Sequence, residues 1–211
     1  MGFFKSIFSK SEPEPTARSL DHASDLEPKD IVKFGFSAQQ ILSNQSFKVR
    51  KVQTLDTGGE HKKKTLFTLE GSDKDLRLSV EDNDAELALQ IYPDDVSQIF
   101  NVDDFVEMLD PDSGVHHMLK SIGKPEDFAG WVGSTYRQES GQNAYLYNQD
   151  YRQHRMPTDG STGHEFSYYK LITDDRKYAL EVHVLDGGQT NVYLIAYLAL
   201  NKIEELWPSA A

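Results

Sequence analysis

Between Phe166 and Leu200 the apolar and polar positions change in a way that predicts three antiparallel strands. Phe166, Tyr168, Leu171 and Ile172 precede Asp174-Asp175-Arg176-Lys177, a polar cluster of the kind that reverses a chain between β-rich runs. From Tyr178 to Leu185 the apolar Leu180, Val182 and Val184 alternate with Glu181 and His183. A period of two is expected where one face is buried and the other meets water. Asp186-Gly187-Gly188-Gln189 supplies glycine for a tight hairpin. Val192 to Leu200 is apolar on both faces, which predicts a central strand covered on each side.

The same grammar occurs earlier in the chain. Thr65 to Leu69, Leu76 to Val80 and Glu86 to Tyr92 are apolar-rich runs separated by polar turns at Gly71 to Asp75 and Glu81 to Asp84. Each set of three ends in a short apolar-periodic segment, Val96 to Phe100 in one and Ile203 to Trp207 in the other. The expectation is an α+β fold: mainly antiparallel β-sheet, two duplicated β-meander plus short-helix units, with a helical segment between them. On that reading 65–100 and 166–207 superpose strand for strand, each closing with a short helix.

The rest of the chain is read around these units. Residues 1–10 form an amphipathic segment, 11–28 a disordered linker, 29–122 the first β-rich unit with helices and 123–211 the second. Asp30 to Phe34 predicts a strand, Ser37 to Leu42 a helical turn, and Phe47 to Leu55 with Lys64 to Leu69 a basic hairpin. Pro93 with Asp94 and Asp95 suits the first turn of a helix. Val102, Phe105, Val106 and Leu109 then form a helical stripe ended by Asp110 to Gly114. Val115 to Ile122 reads as a further helical turn or two. Trp131 to Gln138 and Ala144 to Tyr147 read as a hairpin around Glu139-Ser140-Gly141-Gln142, and 151–163 as a long exposed loop.

Charge and composition narrow the function. The 211 residues include no cysteine, which removes disulfides, thiolate metal sites and cysteine nucleophiles. A net charge of −12 argues against nucleic acid as a partner. The stretch between Arg77 and Lys120 holds no Lys or Arg and reads as a solvated acidic face or a dock for a basic partner, whereas Lys48, Arg50, Lys51 and Lys62 to Lys64 gather on the basic hairpin.

Specific chemistry is sparse. Asp56-Thr57-Gly58 has the aspartic-protease triplet without its apolar flanks and reads as a turn; Asp110-x-Asp112-x-Gly114 lacks the remaining ligands of a calcium loop. His116 and His117 diverge on any regular element, and no zinc-ligand spacing is present. No catalytic residue, metal site or cofactor is therefore expected. Tyr145, Tyr147 and Tyr151 with His154 and His164 are the candidate partner or ligand surface, since tyrosine offers large contact area with a polar tip. Phe3, Phe4, Lys5, Ile7 and Phe8 are the candidate membrane contact, aromatics on one face beside a lysine.

The aromatic strand with Thr173-Asp174-Asp175, the alternating Tyr178 to Leu185, the two-glycine turn and the start MGFFKSIF resemble bacterial domain-of-unknown-function proteins encoded beside phage-shock-like envelope-stress genes. That resemblance implies a cytoplasmic bacterial accessory protein working at the inner membrane surface. The functional expectation is accordingly a non-enzymatic protein-interaction module with a protein partner and weak membrane-surface contact. The alternative is a small-ligand-binding protein or hydrolase with a pocket between the repeats, lined by Tyr151, His154 and His164.

Overall fold

The computed structural model describes residues 18–58, 63–71, 74–81, 84–110, 117–157 and 160–209. The expected membrane contact at Phe3, Phe4, Lys5, Ile7 and Phe8 lies outside the described residues. Among the described residues no helix is long and apolar enough to cross a membrane.

The strands are β1 (Ile31–Phe34), β2 (Ser46–Asp56), β3 (Lys63–Glu70), β4 (Leu76–Glu81), β5 (Asp84–Ile91), β6 (Met118–Lys120), β7 (Thr135–Tyr147), β8 (His164–Thr173), β9 (Tyr178–Leu185), β10 (Thr190–Ala199) and β11 (Ile203–Trp207). Helices α1 (Pro93–Ile99) and α2 (Val102–Met108) lie between β5 and β6. Every pairing is antiparallel, and β2-β3-β4-β5-β10-β9-β8-β7 closes on itself through β2 and β7. The protein is thus a closed eight-strand barrel. This overturns the expected sheet of two duplicated meander-plus-helix units. Ile203 to Trp207, expected as a closing helix, is the strand β11, while Val96 to Ile99 does belong to a helix. The three-strand runs join edge to edge, β5 on β10, as parts of one continuous wall.

Closure is short. Only Thr54, Leu55 and Asp56 of β2 meet β7, opposite Tyr147, Leu146 and Tyr145. The two long strands are staggered and overhang in opposite directions. The overhang of β2 takes β1, which in turn takes β11; the overhang of β7 takes β6 at Thr135 to Arg137. The edge of β7 between these partners, Gln138 to Ala144, faces no strand among the described residues.

Three local readings change with the structure. Glu139 to Gln142 is the middle of β7, where Ser140, Gly141 and Gln142 pair with Lys170, Tyr169 and Tyr168, so the expected hairpin there is one strand. Its polar and glycine content reflects an edge rather than a turn. The expected helical turn at 115–122 contains β6, whereas the one at 37–42 is present as a short turn in which the Leu42 and Ser43 amides donate to the Gln39 carbonyl at 3.0 and 3.2 Å. The stripe on α2 is only half used: Phe105 and Met108 are buried, whereas Val102 and Val106 are 49% and 59% exposed.

The apolar face of the wall is its outer one. Phe67, Leu69, Leu76, Leu78, Leu87, Leu89, Leu194, Leu180 and Leu171 form one cluster with Leu20, Leu26, Phe34, Leu42, Ile99, Phe105, Phe128 and Trp131, which belong to the covering segments. From Arg18 onward the expected linker is therefore part of this cover. Asp30, fully buried, accepts hydrogen bonds from the Glu27 and Ser209 amides and pairs with Arg18. The loop after β7 is tied to the same segment, since Arg152 donates to the Leu26 carbonyl at 2.9 Å and lies 5.2 Å from the Phe67 ring centre.

Candidate functional site

The inner face carries the charge. Lys64 on β3 and Lys170 on β8 both reach Oε2 of Glu86 on β5, each at 2.8 Å. Neither strand neighbours β5 in the wall, so the three side chains meet across the lumen. Deeper in, Glu181 on β9 accepts from the Arg77 guanidinium of β4 at 2.7 Å, the His183 Nε2 at 2.7 Å and the Tyr168 hydroxyl at 3.1 Å. Arg77 lies 3.7 Å from the centre of the Tyr193 ring, and His183 stacks on Phe166 at 4.3 Å. Glu181 and His183 are 1% and 3% exposed. The period of two on β9 was right, but the polar positions face the lumen rather than water.

Burial and charge set the protonation of this cluster. Burial pushes the Glu86 carboxyl up, and Lys64 with Lys170 outweigh it and hold the group below the usual carboxylate range. Glu181 goes the same way and further: burial is overcome by Arg77 and His183, and the carboxyl sits well below its ordinary value. Burial lowers the His183 pKa against the pull of Glu181, with Arg77 adding to the lowering, so the ring is neutral at pH 7. The phenols of Tyr168 and Tyr197 are driven up by burial and then by the nearby carboxylates, and both stay protonated as donors.

Above the cluster is a cavity of about 600 Å³, open at the end of the barrel where β2 stops. Its floor is Lys64, Glu86, Lys170, Tyr168 and Tyr197, with Ile172 on the wall. Its rim is Glu81 and Asp84 from the β4–β5 turn, Glu139, Ser140 and Gln142 from the unpaired edge of β7, and Arg176 from the β8–β9 turn. Arg176 pairs with Glu139 at 3.1 Å. The Gln142 amide donates to the Thr57 carbonyl and pins β7 to the end of β2. The cavity thus follows from the stagger: β7 runs on where β2 has ended, and the gap in the wall is the mouth. A second hollow of about 660 Å³ lies on the covered side, around Gln40, Lys74, Glu126 and Trp131.

The expected surface residues lie elsewhere. Tyr145 and Tyr147 are on the outer face of β7, with rings 6.5 Å apart, and Tyr151 packs edge-on to Tyr147 at 5.4 Å. Tyr147 and Tyr151 are buried. His154 and His164 are exposed, the latter 3.5 Å from the Asn148 amide. None of the five lines either cavity; the cavity at the barrel mouth does lie between the two strand triplets, but its lining does not include Tyr151, His154 or His164. Asp56 ends β2, and the Gly58 amide donates to its Oδ1 at 2.9 Å. Among the described residues no group of His, Asp and Glu is arranged to hold a metal ion.

Sequence reasoning missed Lys64, Arg77, Glu86, Lys170 and Glu181 as a set. For Arg77, Glu86, Lys170 and Glu181 the available signal was a charged residue in the interior of an apolar strand; Lys64, beside Lys63 at the start of β3, gave none. No protein-family model matches this chain, and neither the curated proteins nor the solved structures contain a match to it.

Proposed function

We propose that the protein is a small-ligand-binding barrel that holds a polar molecule in the mouth of its lumen. The observation that carries this reading is the cavity itself, floored by charged and hydroxyl groups brought together from non-adjacent strands. Eight-strand barrels are wide enough to be filled by side chains or to take one small ligand, and about 600 Å³ lies within the usual range for small-molecule sites. The reading is non-enzymatic. A general acid or base works best with a pKa near the operating pH, whereas Glu86 and Glu181 are both held ionised by their cationic partners.

Ligand-observed NMR against a library of small polar molecules tests it. Ser140 lies at the rim and is paired in register with Lys170, so Ser140→Trp is expected to fill the mouth over the charged cluster. Hits that bind the wild-type chain and are lost in Ser140→Trp support the reading; hits that bind both equally place binding elsewhere.

A further inference from the structure

We infer that the cavity takes a small zwitterion whose two charges are close together, of the α-amino-acid kind, its anionic end on the Lys64 and Lys170 ammonium groups and its cationic end on Glu81 and Asp84. The inference rests on the ligand-binding reading above and names the class of ligand.

The floor is positive. Two ammonium groups share the single carboxylate of Glu86, which leaves one positive charge in excess among the three. Each ammonium carries three N–H donors, and both lysines line the cavity, so donor capacity remains for an incoming oxygen. Beside them, Ser79 is paired in register with Glu86 and shares its lumenal face. It is 2% exposed and its hydroxyl has no partner, a rare condition for a buried polar group.

The rim is negative. Glu81 and Asp84 face each other across the β4–β5 turn and both line the mouth. Glu139 and Arg176 cancel on the opposite side. The sign therefore reverses over a very short distance, since Glu81 Oε1 lies only 3.4 Å from Lys64 Nζ. A simple anion that reached the lysines would sit beside the rim carboxylates, and a simple cation drawn to the rim would sit beside the lysines. A molecule with an ammonium on the carbon next to its carboxylate meets both, and Ile172 and Tyr168 offer an apolar wall to its side chain.

The test is isothermal titration of the full chain with L-leucine, with 4-methylpentanoate, which lacks the amine, and with 3-methylbutylamine, which lacks the carboxylate. Leucine is expected to bind, with each analogue weaker by at least about tenfold. Glu81→Gln, at an exposed position, is expected to weaken leucine and to strengthen 4-methylpentanoate by removing a repelling charge. Equal binding of leucine and 4-methylpentanoate would make this a simple anion site and overturn the inference, as would equal binding of the amine. If none of the three binds while a library compound binds and is expelled by Ser140→Trp, the zwitterion inference falls and the ligand-binding reading stands. If nothing binds the wild-type chain, both fall.

Discussion

Arg77, Glu181 and His183 show how a lumenal charge cluster constrains its own titration. Arg77 is the main cation beside Glu181 and also helps to keep the His183 ring neutral. Replacing it by methionine leaves a buried carboxylate short of its partner, and the expected loss of stability is about 3–5 kcal/mol by chemical denaturation. The same substitution removes a repelling charge from His183, so its pKa, followed by NMR of the imidazole, is expected to rise. An unchanged His183 pKa would mean that Arg77 does not act on the ring. The cluster also predicts acid lability. The folded pKa of His183 is below its ordinary 6.5, so the unfolded chain takes up the proton first and stability falls as pH drops through that value. Glu86 and Glu181 have folded pKa values below their ordinary 4.5, so their contribution is complete above 4.5 and is lost as pH falls below it. Denaturation midpoints between pH 8 and pH 3 should therefore decline in two stages, and a midpoint independent of pH over this range would contradict the buried cluster. Where these charges point was not legible in the sequence, because alternation shows that two faces differ without showing which one meets water. In a closed wall the charged face can be the inner one, provided other segments cover the apolar outside.

At the scale of elements, turn chemistry was the most legible part. Gly187 and Gly188 have φ of 84° and 83°, the conformation that the two-glycine hairpin was read to need. Asp95 accepts a hydrogen bond from the Tyr92 amide at 2.9 Å, as expected of an acidic residue in the first turn of α1. Asn101 accepts from the amides of Asp103 and Asp104 at the start of α2, so Asn101→Ala should cost about 1 kcal/mol in a denaturant titration. Strand length was less legible. Glu139 to Gln142 has turn composition, yet it continues β7 because β8 supplies hydrogen-bond partners along it. The β2–β7 seam has three residue pairs, as few as β3–β4, against eight between β5 and β10. Amide hydrogen exchange should show the seam opening before Leu87 to Leu89, and equal protection at both places would mean that closure is stronger than the pairing indicates.

For the whole molecule, what the sequence could not reveal was closure. The pairing that makes the barrel joins Thr54 to Asp56 with Tyr145 to Tyr147, remote in sequence and without any turn between them to announce the contact. Two similar strand triplets were visible, but similarity says nothing of whether they stand apart or share one wall. Once the wall closes, Lys64, Glu86 and Lys170 are brought from three strands to one point, and the stagger of β7 past β2 leaves the mouth above them. The binding site we propose is the lumen, not the outer tyrosine surface. The most direct test of this is side-chain NMR during titration with the tightest library binder, following the lysine ε-methylenes and tyrosine rings. The account predicts shifts at Lys64, Lys170, Tyr168 and Tyr197 with Tyr145, Tyr147 and Tyr151 unmoved; shifts at the outer tyrosines with the lumenal groups unmoved would contradict it.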